Sequence, residues 1–207
     1  MAEPRPDRAE LDRIGIFVAD DDEDPGVRAE CARIARHLLA SGTRVVGLLP
    51  ATRETAVPPL AVQLGLSLVE LSGHTVAVVD ANVHWPALSR LVEIQPQRAD
   101  DEAFFATRWL RDSLALLTPP EAGEAGAGLP ELARLIEHGK DLFAFMIADL
   151  TGFDMLGEHL GAMDLMQGVL LVAPAGRIKE DQLLRWNQEV PPNRRLGVLL
   201  VGPGAPR

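Results

Sequence analysis

Two aspartates stand where an α/β protein keeps its chemistry. Asp80 ends the apolar run Thr75-Val-Ala-Val-Val, and Asp149 ends the run Leu142-Phe-Ala-Phe-Met-Ile-Ala. In an open parallel sheet, ligands sit at the carboxyl ends of the strands. A carboxylate there can hold a divalent cation, or orient water, beside a bound phosphate. Aspartate is also a common turn residue and helix cap, so one such residue alone carries little weight. A third candidate loop follows the apolar run at residues 44–49. It reads Pro50-Ala-Thr-Arg53-Glu54-Thr-Ala-Val57-Pro58-Pro59. Of the other reactive residue types, His84 lies near Asp80, and the remaining histidines show no metal-ligand spacing. Cys31 is the single cysteine, so neither a disulfide framework nor a cysteine-rich metal site is available within the chain.

The elements around these positions alternate. Asp24-Pro25 is a helix start, with a capping side chain followed by proline at the first helical position. That helix runs to about residue 40 and ends at Ser41-Gly42. A buried strand at 44–49 and a loop at 50–59 follow. Leu60, Leu64, Leu68 and Leu71 then recur at helical spacing up to Gly73. Strands are expected at 75–79, 113–117, 142–148, 168–173 and 196–201, and helices at 129–138, 155–164 and 178–187. Residues 14–19 read as a short strand or an extended lead-in. Residues 82–86 read as a turn, 87–92 as the start of a helix, and 93–107 and 118–128 as loops. Strands that are apolar throughout are buried on both faces. This implies a mostly parallel central sheet with helices on both sides, a three-layer α/β/α fold. Residues 1–23 read as an N-terminal arm and 24–207 as a single domain.

Composition narrows the function. The 207 residues carry a net charge of −10, which argues against nucleic-acid binding and against docking on anionic lipid through a basic patch. The N-terminal residues are charged and lack the apolar stretch of a secretory signal. No apolar run reaches the length of a membrane span, so a cytoplasmic protein is expected. Tyrosine is absent, and Lys140 and Lys179 are the only lysines.

Several segments, in order, resemble the cytoplasmic domain of bacterial tyrosine kinases, the MinD/ParA-like P-loop ATPases of capsule and exopolysaccharide synthesis. Thr75-Val-Ala-Val-Val-Asp80-Ala-Asn82-Val-His-Trp-Pro86-Ala-Leu88 is similar to the family's second motif, where a strand ends in Asp-Ala-Asp. Phe143-Ala-Phe-Met-Ile-Ala-Asp149 resembles its Walker B strand, and Gly168-Val-Leu-Leu-Val-Ala-Pro-Ala-Gly176-Arg177 the strand and turn after it. Glu30-Cys-Ala-Arg33-Ile-Ala-Arg36 fits the family's Glu-x-x-Arg-x-x-Arg helix. The resemblance implies an oligomer contact there, between copies or with a related chain. On the residues alone, a solvated charged face with internal ion pairs is the competing reading. The resemblance also implies a P-loop NTPase-like fold and a partner in polysaccharide export. That partner is the cytoplasmic part of a membrane co-polymerase or chain-length determinant, which would recruit the protein to the inner membrane, or else an active paralogue.

The departures from the family fall on the phosphate loop. Such a loop needs glycines that let backbone N–H groups close on phosphates, a lysine that neutralises them and a hydroxyl for magnesium. Residues 50–59 contain no glycine, Val57 stands at the lysine position, and Pro58 and Pro59 take the hydroxyl positions without offering an N–H. Arg53 could meet an anion, but Glu54 beside it would repel one. Asn82 replaces the second carboxylate of the Asp-Ala-Asp motif. None of these residues can become a phosphotyrosine. The expectation is a non-catalytic protein with no bound cofactor or metal, in which Asp80 and Asp149 are relics or caps. One alternative is an active kinase or ATPase that binds ATP and magnesium through an atypical loop. The other is a receiver-like signalling domain, with Asp20-Asp21-Asp22 as its acidic opening and Asp80 as phospho-acceptor.

Overall fold

The computed structural model describes residues 25–53, 55–81, 106–110, 113–118 and 128–202. The readings at residues 1–24, 82–105 and 119–127 lie outside the described residues, together with Glu54, Asn82, His84 and Trp85.

Helix α1 (Pro25–Ser41) opens the described chain, with proline in its first turn. Cys31, Ile34, Ala35 and Leu38 form its buried stripe at i, i+3, i+4 and i+7. Strand β1 (Val45–Pro50) leads into helix α2 (Val57–Ser72) and strand β2 (Val76–Asp80). Then come β3 (Ala106–Leu110), β4 (Leu114–Thr118), helix α3 (Gly128–Gly139) and β5 (Phe145–Asp149). Helix α4 (His159–Leu165), β6 (Gly168–Pro174), helix α5 (Glu180–Glu189), a 3-10 turn (Pro192–Arg194) and β7 (Arg195–Val201) complete it.

The strands form one seven-stranded sheet in the order β3-β4-β2-β5-β1-β6-β7. Every pair is parallel except β3 with β4. Alternate residues of β1, β2, β5 and β6 pack into two cores. Val46, Leu48, Val78, Ile147 and Val172 meet α1 and α2 on one face. Leu49, Val79, Ala148 and Leu171 meet residues of α3, α4 and α5 on the other. The three-layer α/β/α arrangement read from the apolar strands is thus the fold.

Three elements differ from the sequence reading. Strand β3 falls partly in the segment read as a loop at 93–107. Its sequence, Ala-Thr-Arg-Trp-Leu, is not apolar because it pairs only with β4, and an edge strand need not be apolar on both sides. Helix α2 begins at Val57, inside the segment read as a loop to residue 59, because proline fits the first helical turn as readily as a loop. Helix α4 is confined to His159–Leu165; turns occupy 151–157, around Gly152 and Gly157, both with positive φ.

Arg194, in the turn before β7, ties that turn to the end of α4. Arg194 Nη1 donates to the carbonyls of Met163 (2.9 Å), Asp164 and Met166 (2.8 Å), gathering the carbonyls at the α4 C-terminus. A cation is favoured there by the helix dipole as well. Arg194→Met is expected to cost about 2 kcal/mol, the range of lost charge-assisted hydrogen bonds, read from the denaturation midpoint at unchanged m-value.

Candidate functional site

Asp80 and Asp149 are register partners on adjacent parallel strands. Both are buried, Asp80 at 1% and Asp149 at 0% exposure. Side chains alternate along a strand. Val78 and Ile147, two residues earlier, pack against the α1/α2 layer, so both carboxyl groups point to that side, towards the start of α2. Asp149 Oδ1 accepts from the Thr151 N–H (2.9 Å) and from Thr151 Oγ1 (2.5 Å). Its Oδ2 is buried with no hydrogen-bond partner among the described residues. Burial pushes the Asp149 carboxyl up to about 6, against the pull of the two Thr151 donors.

The loop between β1 and α2 sits beside them. The chain leaves β1 through α2 to β2 on one side, and leaves β5 through α4 to β6 on the other. This divergence makes the β1–β5 crevice the topological switch point where ligands bind in such sheets. Ala51 extends the sheet ladder, its N–H donating to the Val172 carbonyl (2.8 Å). Thr52 and Thr55 close a turn, with Thr55 N–H on the Thr52 carbonyl (3.1 Å) and their hydroxyls 3.1 Å apart. Arg53 is exposed at its tip. Helix α2 follows Ala56 without a side-chain cap; Val57 and Pro58 are buried in its first turn and Pro59 is partly buried.

Side chains from the opposite layer reach the same loop. The Ala51 carbonyl accepts from Trp186 Nε1 (3.0 Å) and Gln182 Nε2 (3.2 Å), both on α5. His159 at the start of α4 meets the Trp186 ring edge-on at 5.7 Å, and its Nε2 lies 3.1 Å from Glu189 Oε2. Trp186 thus does more than pack. The signal available in the sequence is its indole N–H, which seeks an acceptor once part-buried.

The remaining candidates lie elsewhere. Lys140 precedes β5, at the opposite end of the sheet, and pairs with Glu137. Lys179 sits exposed at the start of α5. On α1, Arg33 clasps Glu30 with Nε at 3.0 and 2.9 Å from its two carboxylate oxygens and Nη2 at 2.5 Å from one of them. The Arg33 hydrogen bonds hold the Glu30 carboxyl below its ordinary range. Arg36 is exposed one turn further on. Cys31 is buried, and its thiol is pushed up to about 12 by burial; it has no thiolate with which to react at neutral pH.

A mostly parallel sheet between two helical layers, with strand-end aspartates at its switch point, is an architecture that P-loop ATPases share with other doubly wound proteins. Solved structures place the chain more closely within that architecture. The kinase domain of Escherichia coli tyrosine kinase ETK superposes with a TM-score of 0.72 at 15% identity, over 94% of this chain and 82% of that one. The BceF tyrosine kinase domain gives 0.70 at 16% identity, over 94% and 86%. A ParA family ATPase from Chlorobium tepidum TLS gives 0.56 at 15% identity, over 77% and 73%. The fold is therefore that of the bacterial tyrosine kinase domains and of ParA. No protein-family model and no curated protein matches the sequence. Among the described residues, no helix is long and apolar enough to cross a membrane.

Proposed function

We propose that this chain is a non-catalytic protein with the bacterial tyrosine kinase fold, acting as a binding or regulatory component of exopolysaccharide biosynthesis or export. The β1–α2 loop carries the reading. A triphosphate needs a cation and a row of free amide hydrogens. Here Pro50, Pro58 and Pro59 have no N–H to give. The N–H groups of Ala51 and Thr55 are bonded within the chain. Val57, at the lysine position, is buried in the core. ATP and magnesium do not fit this loop. The charged face of α1, with Glu30, Arg33 and Arg36, is the contact surface of this reading. It faces another copy, an active paralogue, or the cytoplasmic part of a membrane polysaccharide co-polymerase that would bring the protein to the inner membrane.

One observation favours a second reading, an active ATPase or kinase with an atypical loop: both strand-end aspartates are kept, buried and in register. Calorimetric titration with Mg-ATP separates the two. The first expects no binding into the millimolar range. Micromolar binding that Asp149→Ala abolishes would establish the second instead. The contact surface has its own test. Arg36→Glu, a change at an exposed position, is expected to alter stability by no more than about 0.5 kcal/mol. It should nonetheless shift the mass by light scattering towards the monomer, or lose the polysaccharide-export proteins recovered by pull-down from the native host.

A further inference from the structure

We propose that α5 is a built-in clamp on the β1–α2 loop, with Trp186 and Gln182 as its two jaws. This deepens the reading of that loop as one that seats no polyphosphate, and rests on it for its importance. Both side chains converge on a single acceptor, the Ala51 carbonyl, at 3.0 and 3.2 Å. They come from the helix layer opposite α2, so the loop is held from behind, on the side away from Asp80 and Asp149. A carbonyl with two lone pairs is fully satisfied by two donors. The residue they hold is the first after the last strand position of β1, and its own N–H is already fixed on Val172. Ala51 is thus pinned at both its amide groups, and the turn at Thr52–Thr55 hangs from a fixed point.

The clamp is seated by α4. His159 packs edge-on against the Trp186 ring and lies 3.1 Å from Glu189 on the last turn of α5. It therefore touches α5 at the clamping residue and at the helix end. Among the described residues none of α5 itself is buried, although Leu183 and Trp186 pack partly against the core and Ile178 and Val190 anchor its two ends. A weakly packed helix with two specific bonds to a loop can disengage without unfolding the sheet. The loop would then be free to change shape only when α5 lifts.

Hydrogen exchange of the 22.4 kDa chain, read residue by residue, tests this. Trp186→Phe keeps the ring and removes the N–H; Gln182→Leu keeps the length and removes the amide. Each single change is expected to raise exchange at the Ala51 and Thr55 amides about fivefold, the effect of one hydrogen bond, and the double variant more. Exchange in β5 and in the centre of β1 should stay at wild-type rates. Unchanged exchange at Ala51 and Thr55 in the double variant overturns the clamp, as does a uniform rise across the sheet, which would show a merely structural role. His159→Gln is expected to raise exchange at the same two amides. Mg-ATP titration of the double variant keeps the two readings apart. No binding, with faster loop exchange, supports both the clamp and the loop's chemical unfitness for nucleotide. Binding gained only in the double variant supports the clamp and shows that the clamp, not the loop composition, keeps nucleotide out.

Discussion

Asp149→Asn is expected to gain on the wild type as the pH rises, by about 3 kcal/mol over the full window in which Asp149 titrates. Burial lifts this carboxyl from an ordinary 3.8 to about 6 in the folded chain. A carboxyl with the higher pKa when folded binds its proton more tightly in that state. Between those two values the folded state holds more protons than the unfolded one, so stability falls as the pH rises. Below about 3.8 the group costs nothing; above about 6 the whole cost is present. The shift of roughly two units corresponds to about 3 kcal/mol. Asparagine keeps an oxygen for the two Thr151 donors and places its nitrogen where Oδ2 has no partner among the described residues. That replacement adds an offset that does not change with pH. The quantity to measure is therefore the change in the stability difference, not its sign at one pH. Urea denaturation of both proteins at pH 4.5 and pH 8 should show the difference moving by about 2 kcal/mol in favour of asparagine. A difference that stays constant would mean that Asp149 ionises as readily in the folded chain as in the unfolded one.

Such a carboxylate is a burden to the fold at neutral pH. Its register partner Asp80 is also buried. In this architecture a cation or a hydrated phosphate is what normally sits before such groups. The loop that would bring one is built from prolines, a buried valine and a pinned alanine. On the proposed non-catalytic reading, the pH-dependent cost is the trace of carboxylates that the neighbouring loop gives no cation, and it can be measured without a partner.

The layered fold could be read from the sequence because its central strands are buried on both faces. Runs such as Val76–Asp80 and Phe145–Asp149 have no polar residue before the terminal aspartate, and their ends fall where the apolar runs end. Strand β3 escaped because Arg108 and Trp109 mark it as a surface segment. Its strand character comes from pairing with β4, a contact made in space. The placement of Asp80 beside Asp149 follows from the strand order, which no local pattern encodes. The α5 contacts on Ala51 escaped for a similar reason. They join residues 131 and 135 positions apart, and a backbone carbonyl leaves no mark in a sequence. The charged triplet on α1 was readable, and so was an ion pair internal to the helix, which Arg33 and Glu30 form.

Gly65→Val on α2 is expected to cost about 3 kcal/mol, the upper part of the usual range for overpacking. Gly65 lies in the middle of α2, on the face against the sheet. A Cβ there would stand 2.9 Å from Leu114 Cδ1 and 3.0 Å from Val78 Cγ2. Both neighbours are fully buried, and Val78 is β-branched with little rotamer freedom. The glycine therefore sets how closely α2 lies on β2 and β4. Alanine already brings the Cβ into those two close contacts, and about 1 kcal/mol of helix propensity offsets part of the cost, so Gly65→Ala is expected to destabilise by about 1 kcal/mol, clearly less than valine. Valine adds two methyl groups that the gap cannot take, and the helix must lift. Lifting α2 moves its first turn, with Val57 and Pro58, away from the two aspartates, and loosens the Arg28–Glu70 contact with α1 (3.7 Å). Chemical denaturation of the two variants side by side measures the contrast. If valine is tolerated as well as alanine, the close approach of α2 to the sheet does not govern this end of the crevice.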